Sequence, residues 1–365
     1  MKILNIMLGK GMGGIEQAFC DYTQLLHGKT GFEGDPIEII QITARNAAIK
    51  SKLDPKARHY ELNMAGGDYN IFSLYRLRQI IKRQQPAFIL CHSNRASKYG
   101  KRAAKGLNLP VIGIAHRHQL DYIQRLDYIF TVNDDIADEL YRRGVPQSRI
   151  FVIYNMLSPN LAAHIKQTPP VQKILPKAPE AAVLGVMGRL EKVKGQDIML
   201  DALHILHQYY DSPLNLRFAG TGSLRPKLIE QAQSLGLTAF VAFEGWAGDQ
   251  ARFYETIDLL IVPSRFESFG MIIIEAMAFG VPVIAASTKG ATLLIKDGVS
   301  GSLVETENPA ALAHEIYALL NDEERRRQYR TNAKLNIKPY LPDQIFTRIT
   351  AAFDAIAASG DLKNP

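Results

Sequence analysis

Glu267 and Glu275 stand eight positions apart in the segment FESFGMIIIEAMAFGVPVIAA, whose other side chains are nearly all apolar. A carboxylate in such company either accepts hydrogen bonds from a ligand or is held by an internal partner. If a helix starts near Gly270, Glu267 lies in the loop before it and Glu275 more than a turn inside. At about 1.5 Å of rise per residue the two carboxylates are then on the order of 12 Å apart. Between them fall the first N–H groups of the helix, those of Phe269, Gly270 and Met271, which have no carbonyl of a preceding turn and carry the positive end of the helix dipole. That arrangement suits a molecule with hydroxyls at its two ends and a diphosphate in the middle. The same residues also fit a plainer role, with Glu267 favouring a helix N-terminus and Glu275 satisfied inside the core.

The rest of the chain offers groups of matching chemistry. VMGRLEKVKGQD places Arg189 and Lys194 in a loop after a strand, where two cations neutralise a diphosphate and stabilise the charge that grows on it as a leaving group; both also fit ordinary surface positions. Gly220 and Gly222 in FAGTGSL, and Gly245 in FEGWAG, mark close turns at strand ends. GKGMGG sets Gly9, Gly11 and Gly14 at the G-x-G-x-x-G spacing before a helix, with Gly13 and Gly14 nearest its start. For a dinucleotide an acidic ribose ligand is expected at the end of the second strand, but IEIIQITARN offers Arg45 there. His116 in GIAHRHQL ends a strand and, if neutral, can hydrogen-bond a sugar hydroxyl; His118 and His92 are lesser candidates, and all three also fit core or rim positions.

Charge is unevenly placed. The chain of 365 residues carries a net +7, made of about +10 in residues 1–180 and about −3 in the remainder, so the first half is expected to meet something anionic. NRASKYGKRAAKG holds Arg95, Lys98, Lys101, Arg102 and Lys105 at helical spacing with no acid among them, a candidate acceptor or membrane side that could equally be a solvated helix face. Only one aromatic residue, Tyr99, is interleaved with these bases, which disfavours nucleic acid. Neither H-x-x-x-H nor paired cysteines occur, so no metal site is expected, and Cys20 and Cys91 read as packed thiols. With no apolar run near the ~20 residues of a membrane span, the expected location is cytoplasmic, with peripheral contact at the inner membrane face possible.

These residues need rigid elements to position them. KILNIML, PIEIIQIT, AFILCHS, LPVIGIAH, DYIFTVN and RIFVIYN are short apolar runs separated by helix-length segments, the pattern of a doubly wound parallel sheet. The pattern restarts with AAVLGVMGRL, LNLRFAGTGSL, AFVAFEGWAG, DLLIVPSRFES and VPVIAAST. Two Rossmann-like α/β domains facing across a cleft are expected: residues 1–160, a linker at 161–180, residues 181–340, and a closing helix at 341–365 packing back on the first domain.

Taken together, the chain resembles the family 4 glycosyltransferases of the GT-B fold. The resemblance rests on the E-x7-E pair Glu267 and Glu275, on GRLEKVKGQD, and in support on GMGGIEQ, VIYNML, FAGTGSL and KDGVSGSLVE. It implies that Glu275 binds the ribose and Glu267 the transferred sugar, that Arg189 and Lys194 hold the diphosphate, and that Gly14 lies by phosphate and sugar from the first domain. It also implies retention of anomeric configuration, no metal and no cofactor, a UDP- or GDP-sugar donor with UDP-sugar favoured, and support of the reaction by His116. The acceptor is expected to be a glycan or glycolipid, in lipopolysaccharide or other cell-surface polysaccharide synthesis. One segment departs from the family: TKGATLLIKDG has Lys289 for the first glycine of G-G-x-x-E and Leu293 for its acid. A nucleotide-sugar epimerase of the same fold and a dinucleotide-binding protein are the competing readings.

Overall fold

The computed structural model describes residues 1–31, 34–64, 70–168, 182–210, 212, 214–245 and 249–361. The chain divides into two compact units, Met1–Pro159 with Pro342–Pro365, and Asn160–Leu341. A helix, Pro159–Gln167, covers the start of the expected linker; residues 169–180 of it lie outside the described residues.

The first unit is built on seven strands, β1 (Lys2–Met7), β2 (Glu38–Ala44), β3 (Arg58–Leu62), β4 (Phe88–His92), β5 (Val111–Ala115), β6 (Tyr128–Thr131) and β7 (Ile150–Val152). All pair in parallel, in the order β3-β2-β1-β4-β5-β6-β7. Parallel strands need crossover helices on both faces, so the central strands are apolar on both sides; Ile3, Leu4 and Ile6 of β1 are all fully buried. Asn5 is the polar exception in that strand. Its Nδ2 donates to Phe19 O (3.0 Å) and Thr23 Oγ1 (3.1 Å), which ties the helix Gly14–Leu26 to the sheet. The helix Pro342–Ile356 belongs to this unit, with Phe353 stacked on Phe88 at 4.5 Å between ring centroids and Ile345 and Ile349 in the same core.

The second unit repeats the plan with β8 (Val183–Met187), β9 (Asn215–Ala219), β10 (Val241–Gly245), β11 (Leu259–Val262), β12 (Val283–Ala286) and β13 (Ser302–Val304), in the order β10-β9-β8-β11-β12-β13. In each unit the winding reverses beside the first strand, between β1 and β4 and between β8 and β11. At such a point the loops leaving the carboxyl ends diverge to opposite faces and leave a crevice where α/β sheets bind ligands.

Candidate functional site

The reversal in the second sheet lies between the loops that carry the sequence-predicted residues. One loop follows β8 and holds Arg189 and Lys194; the other follows β11 and holds Glu267. Gly195 makes their close approach possible. Its φ is +68°, and a Cβ there would fall 1.9 Å from Pro263 O, so only glycine lets the two backbones touch. Arg265 completes the seam. Its N–H donates to Val193 O (2.9 Å), while its guanidinium grips Asp197 in a bidentate pair (2.8 and 2.9 Å) and reaches Lys192 O and Glu307 (2.8 Å each). Burial raises the Asp197 carboxyl, but the hydrogen bonds and charge of Arg265 outweigh it and hold the group below the usual carboxylate value.

On this braced platform Lys194 Nζ meets Glu267 Oε2 at 2.5 Å, both side chains largely withdrawn from solvent. The helix Met271–Ala278 then begins, with Gly270 at its N-cap in the left-handed region (φ +95°). Of the three N–H groups expected at the helix start, those of Gly270 and Met271 belong to the cap and first turn, while Phe269 lies in the loop before them. Gly290 lies flat against this loop: its N–H donates to Glu267 O (2.9 Å), and a Cβ on it would come within 2.6 Å of Phe269 N. In the departing segment, therefore, the second glycine has a steric reason to be glycine, whereas Lys289 is exposed and Leu293 half-buried at the start and near the end of the helix Lys289–Leu294.

Glu275 is buried, 4% exposed, one turn into its helix. Tyr254 Oη, from the helix Gln250–Thr256, donates to Glu275 Oε2 at 2.6 Å. Burial, and then the adjacent carboxylate, push the phenol well above its usual value, so Tyr254 is a permanent donor. Its ring stacks on Phe279 at 5.3 Å, which fixes the hydroxyl in place.

Gly220 and Gly222 follow β9. A Cβ on Gly220 would lie 1.8 Å from Gly188 O, and one on Gly222 2.3 Å from Leu190 O, so these glycines seat the turn of β9 on that of β8. Arg189 points elsewhere: its guanidinium bonds Glu191 (2.7 Å), and its carbonyl accepts from the buried Gln196 Nε2 (2.9 Å). Thus Lys194, Glu267 and the helix start are brought together, while Arg189 is engaged beside them. Sequence reading missed Arg265, Asp197 and Tyr254. The first two lie within three positions of Glu267 and Lys194 and read as ordinary charges; Tyr254, 21 positions before Glu275, gives no signal in the sequence.

In the first unit Gly14 opens the helix Gly14–Leu26 after Gly13 at its N-cap. The Glu16 carboxylate covers this loop, since a Cβ on Gly9 would fall 2.6 Å from Oε1 and one on Gly13 3.2 Å from Oε2. A dinucleotide pyrophosphate in the loop would face that carboxylate, which counts against the dinucleotide reading. His116 is buried, with Nε2 3.2 Å from His92 Nδ1. His92 packs edge-on against Phe19 and Tyr22 (5.6 and 5.3 Å) and is a core residue. Burial pushes His116 down to about 4 and His92 well below its ordinary value, so both imidazoles are neutral near pH 7. His118 pairs with Glu139 at 2.5 Å.

The five bases of the helix Asn94–Ala104 and its end do not share one solvent face. Lys101 binds Asp127, Lys98 lies over the Tyr122 ring at 5.6 Å, and Arg95 is half-buried, which leaves Arg102 and Lys105 exposed. The small residues explain it. Gly100 lets the helix sit so close to β4 that a Cβ would come 2.6 Å from Cys91 Sγ, and flanking bases are drawn toward neighbouring loops.

Residues 168–336 match the family model for glycosyl transferases group 1, and residues 50–161 match that for glycosyltransferase family 4. The chain belongs to the family 4 glycosyltransferases. Among curated relatives of this chain, the D-inositol 3-phosphate glycosyltransferase of Corynebacterium urealyticum is 34% identical over 154 residues, covering 40% of this chain and 36% of its own. An uncharacterised glycosyltransferase of Methanocaldococcus jannaschii is 27% identical over 230 residues, covering 60% and 58%. The chain thus matches between about a third and three fifths of the length of these relatives. Among solved structures, Anabaena HepE in complex with UDP-glucose aligns over 97% of this chain and 100% of its own, with a TM-score of 0.78 at 20% identity. The apo lipopolysaccharide outer core galactosyltransferase WaaB aligns over 98% and 100%, with a TM-score of 0.68 at 20% identity. These likenesses establish the GT-B fold. Among the described residues of the chain no helix is long and apolar enough to cross a membrane.

Proposed function

We propose that this glycosyltransferase moves a sugar from a nucleotide diphosphate sugar, UDP-sugar foremost, to a glycan or lipid-linked acceptor of a cell-surface polysaccharide such as lipopolysaccharide. Retention of configuration, without metal or cofactor, is part of the proposal. The observation that carries it is the joining of Lys194 and Glu267 at the start of the helix Met271–Ala278, with Glu275 buried inside that helix.

In this reading Tyr254 fixes Glu275 Oε2, and the carboxylate accepts from the ribose hydroxyls. The diphosphate sits against the N–H groups of Phe269, Gly270 and Met271, and Glu267 accepts from the sugar. Donor binding opens the ion pair: Lys194 turns to the phosphate, and Arg189 leaves Glu191 to join it. As the glycosidic bond breaks, negative charge grows on the departing phosphate, where Lys194 and the helix dipole stabilise it most. The acceptor hydroxyl attacks from the leaving-group face and gives its proton to the departing phosphate, so no side-chain base is required. Gly14 and the neutral His116 of the first unit are the groups proposed for sugar hydroxyls.

HepE in complex with UDP-glucose, at the same fold, supports the choice of donor, and the D-inositol 3-phosphate glycosyltransferases support a polar, hydroxyl-rich acceptor. The test is a thermal-shift panel of nucleotides and nucleotide sugars on the native protein and on Glu275→Ala. A rise in Tm with a uridine nucleotide that Glu275→Ala abolishes supports the reading. No rise with any nucleoside diphosphate overturns it.

A further inference from the structure

From Tyr69 to Leu120 the chain contains ten Lys and Arg and no Asp or Glu. The helix Ile71–Gln84 lies in this run, and its buried side is Ser73, Leu77, Ile80 and Ile81. The opposite side exposes three large apolar side chains, Ile71 (76%), Phe72 (87%) and Tyr75 (64%), followed by Arg76, Lys82 and Arg83. At about 100° per residue all six fall within an arc of roughly 140°, so they form one outward stripe about 18 Å long. Arg78 joins this helix to the next. Its guanidinium donates to Ala103 O and Lys105 O (2.8 Å each), setting the exposed Lys105 beside the stripe.

We infer that this stripe is a docking face for an anionic lipid bilayer. An aliphatic and two aromatic side chains at one end, left in water, gain by entering the acyl boundary, and the bases alongside gain by reaching headgroup phosphates. Nucleic acid would use the charge but leave Ile71 and Phe72 in water. A bilayer takes both. The inference deepens the reading of a lipid-linked acceptor by naming the surface that meets the lipid, and it rests on that reading only for its biological purpose. Its test needs neither donor nor acceptor, so it can fail while the transfer reading stands, and the reverse.

The full chain is sedimented with vesicles of phosphatidylcholine alone and with phosphatidylglycerol mixed in, at low and raised ionic strength. Expected is co-sedimentation with the phosphatidylglycerol vesicles that salt weakens, and about tenfold weaker binding for I71S/F72S and for R76S/R83S. Because these side chains are exposed, both variants keep the native Tm, which separates lost docking from lost folding. Absence of binding to phosphatidylglycerol vesicles at low salt overturns the inference, as does binding that I71S/F72S leaves unchanged. A concentration-dependent dimer abolished by I71S/F72S, without vesicle binding, would assign the stripe to a second copy of the chain instead.

Discussion

Lys194 and Glu267, 73 positions apart in sequence, meet at 2.5 Å where the loops leaving β8 and β11 converge. Each supplies the charge the other would lack without a donor. Replacing one leaves its partner half-buried and uncompensated, so the two variants should differ in kind. Lys194→Ala should lower kcat by about 10² to 10³, because its charge matters most as the leaving phosphate becomes more negative. Glu267→Ala should retain binding of the bare nucleoside diphosphate but lose the additional Tm rise that the sugar brings. Steady-state kinetics beside nucleotide and nucleotide-sugar melts check both; equal loss of the two melts in Glu267→Ala would contradict its placement on the sugar.

Tyr254 acts on the proposed nucleotide only through Glu275. The hydroxyl is fixed by ring stacking and donates at 2.6 Å, so it is a positioning group for the carboxylate. Tyr254→Phe keeps the ring and removes the donor. The expected result is about a tenfold rise in donor KM with kcat at saturation nearly unchanged, the size of one hydrogen bond to a charged group. Calorimetric titration with the nucleoside diphosphate should show the same factor. A fall in kcat alone would show that Tyr254 reaches the reacting atoms.

Gly195 and Gly220 carry the approach of the loops. Alanine at Gly220 would set a methyl carbon 1.8 Å from Gly188 O, and at Gly195 1.9 Å from Pro263 O with φ at +68° besides. Backbone, not a flexible side chain, would have to move. Each substitution should cost several kcal/mol and lower Tm, in the class of strained and overpacked sites. Gly14→Ala meets nothing within 4 Å and should melt like the native protein, which makes it the control.

Much of this was legible in the sequence because buried parallel strands read as unbroken apolar runs. LLIV is such a run, and KILNIM is one from Ile3 on but for Asn5. β3 and β13 were not visible for the opposite reason. RHYEL lies on a sheet edge with Arg58 half in water and carries three charged or polar side chains in five, and Ser302–Val304 is only three residues long. The helix start at Gly270 was readable from its glycine and from the apolar run behind it. Arg265 and Tyr254 were not, because their importance lies in what they touch across the fold. The basic helix Asn94–Ala104 shows the limit from the other side: spacing groups the cations by angle, but Asp127 and Tyr122, reached only through tertiary packing, take Lys101 and Lys98 out of the group.

Two buried groups of the first unit give the stability an opposed pH dependence. His116 is pushed by burial from 6.5 to about 4. Between those values the unfolded chain binds the proton and the folded one does not, so this contribution is complete above pH 6.5 and is lost as pH falls toward 4. Asp21, buried on the helix Gly14–Leu26, is pushed by burial from 3.8 up to about 7, against the hydrogen bonds of Gln17 and Ser158. Here the folded state holds the proton longer, so its contribution is complete below pH 3.8 and is lost as pH rises through about 7. The two windows nearly coincide and their slopes are opposite, so the two contributions largely cancel and leave the native Tm nearly flat from pH 4 to 6.5. Asp21→Asn keeps an acceptor for Gln17 Nε2, which donates to Oδ1 at 2.9 Å, and removes the ionisation. Its Tm should be level above about pH 7 and fall as pH drops from 6.5 toward 4, where the native Tm stays nearly flat, because His116 then titrates unopposed. Melting curves of both proteins across pH 4 to 8 decide it: parallel curves between pH 4 and 6.5 would mean that Asp21 is already ionised there in the folded protein and offsets nothing.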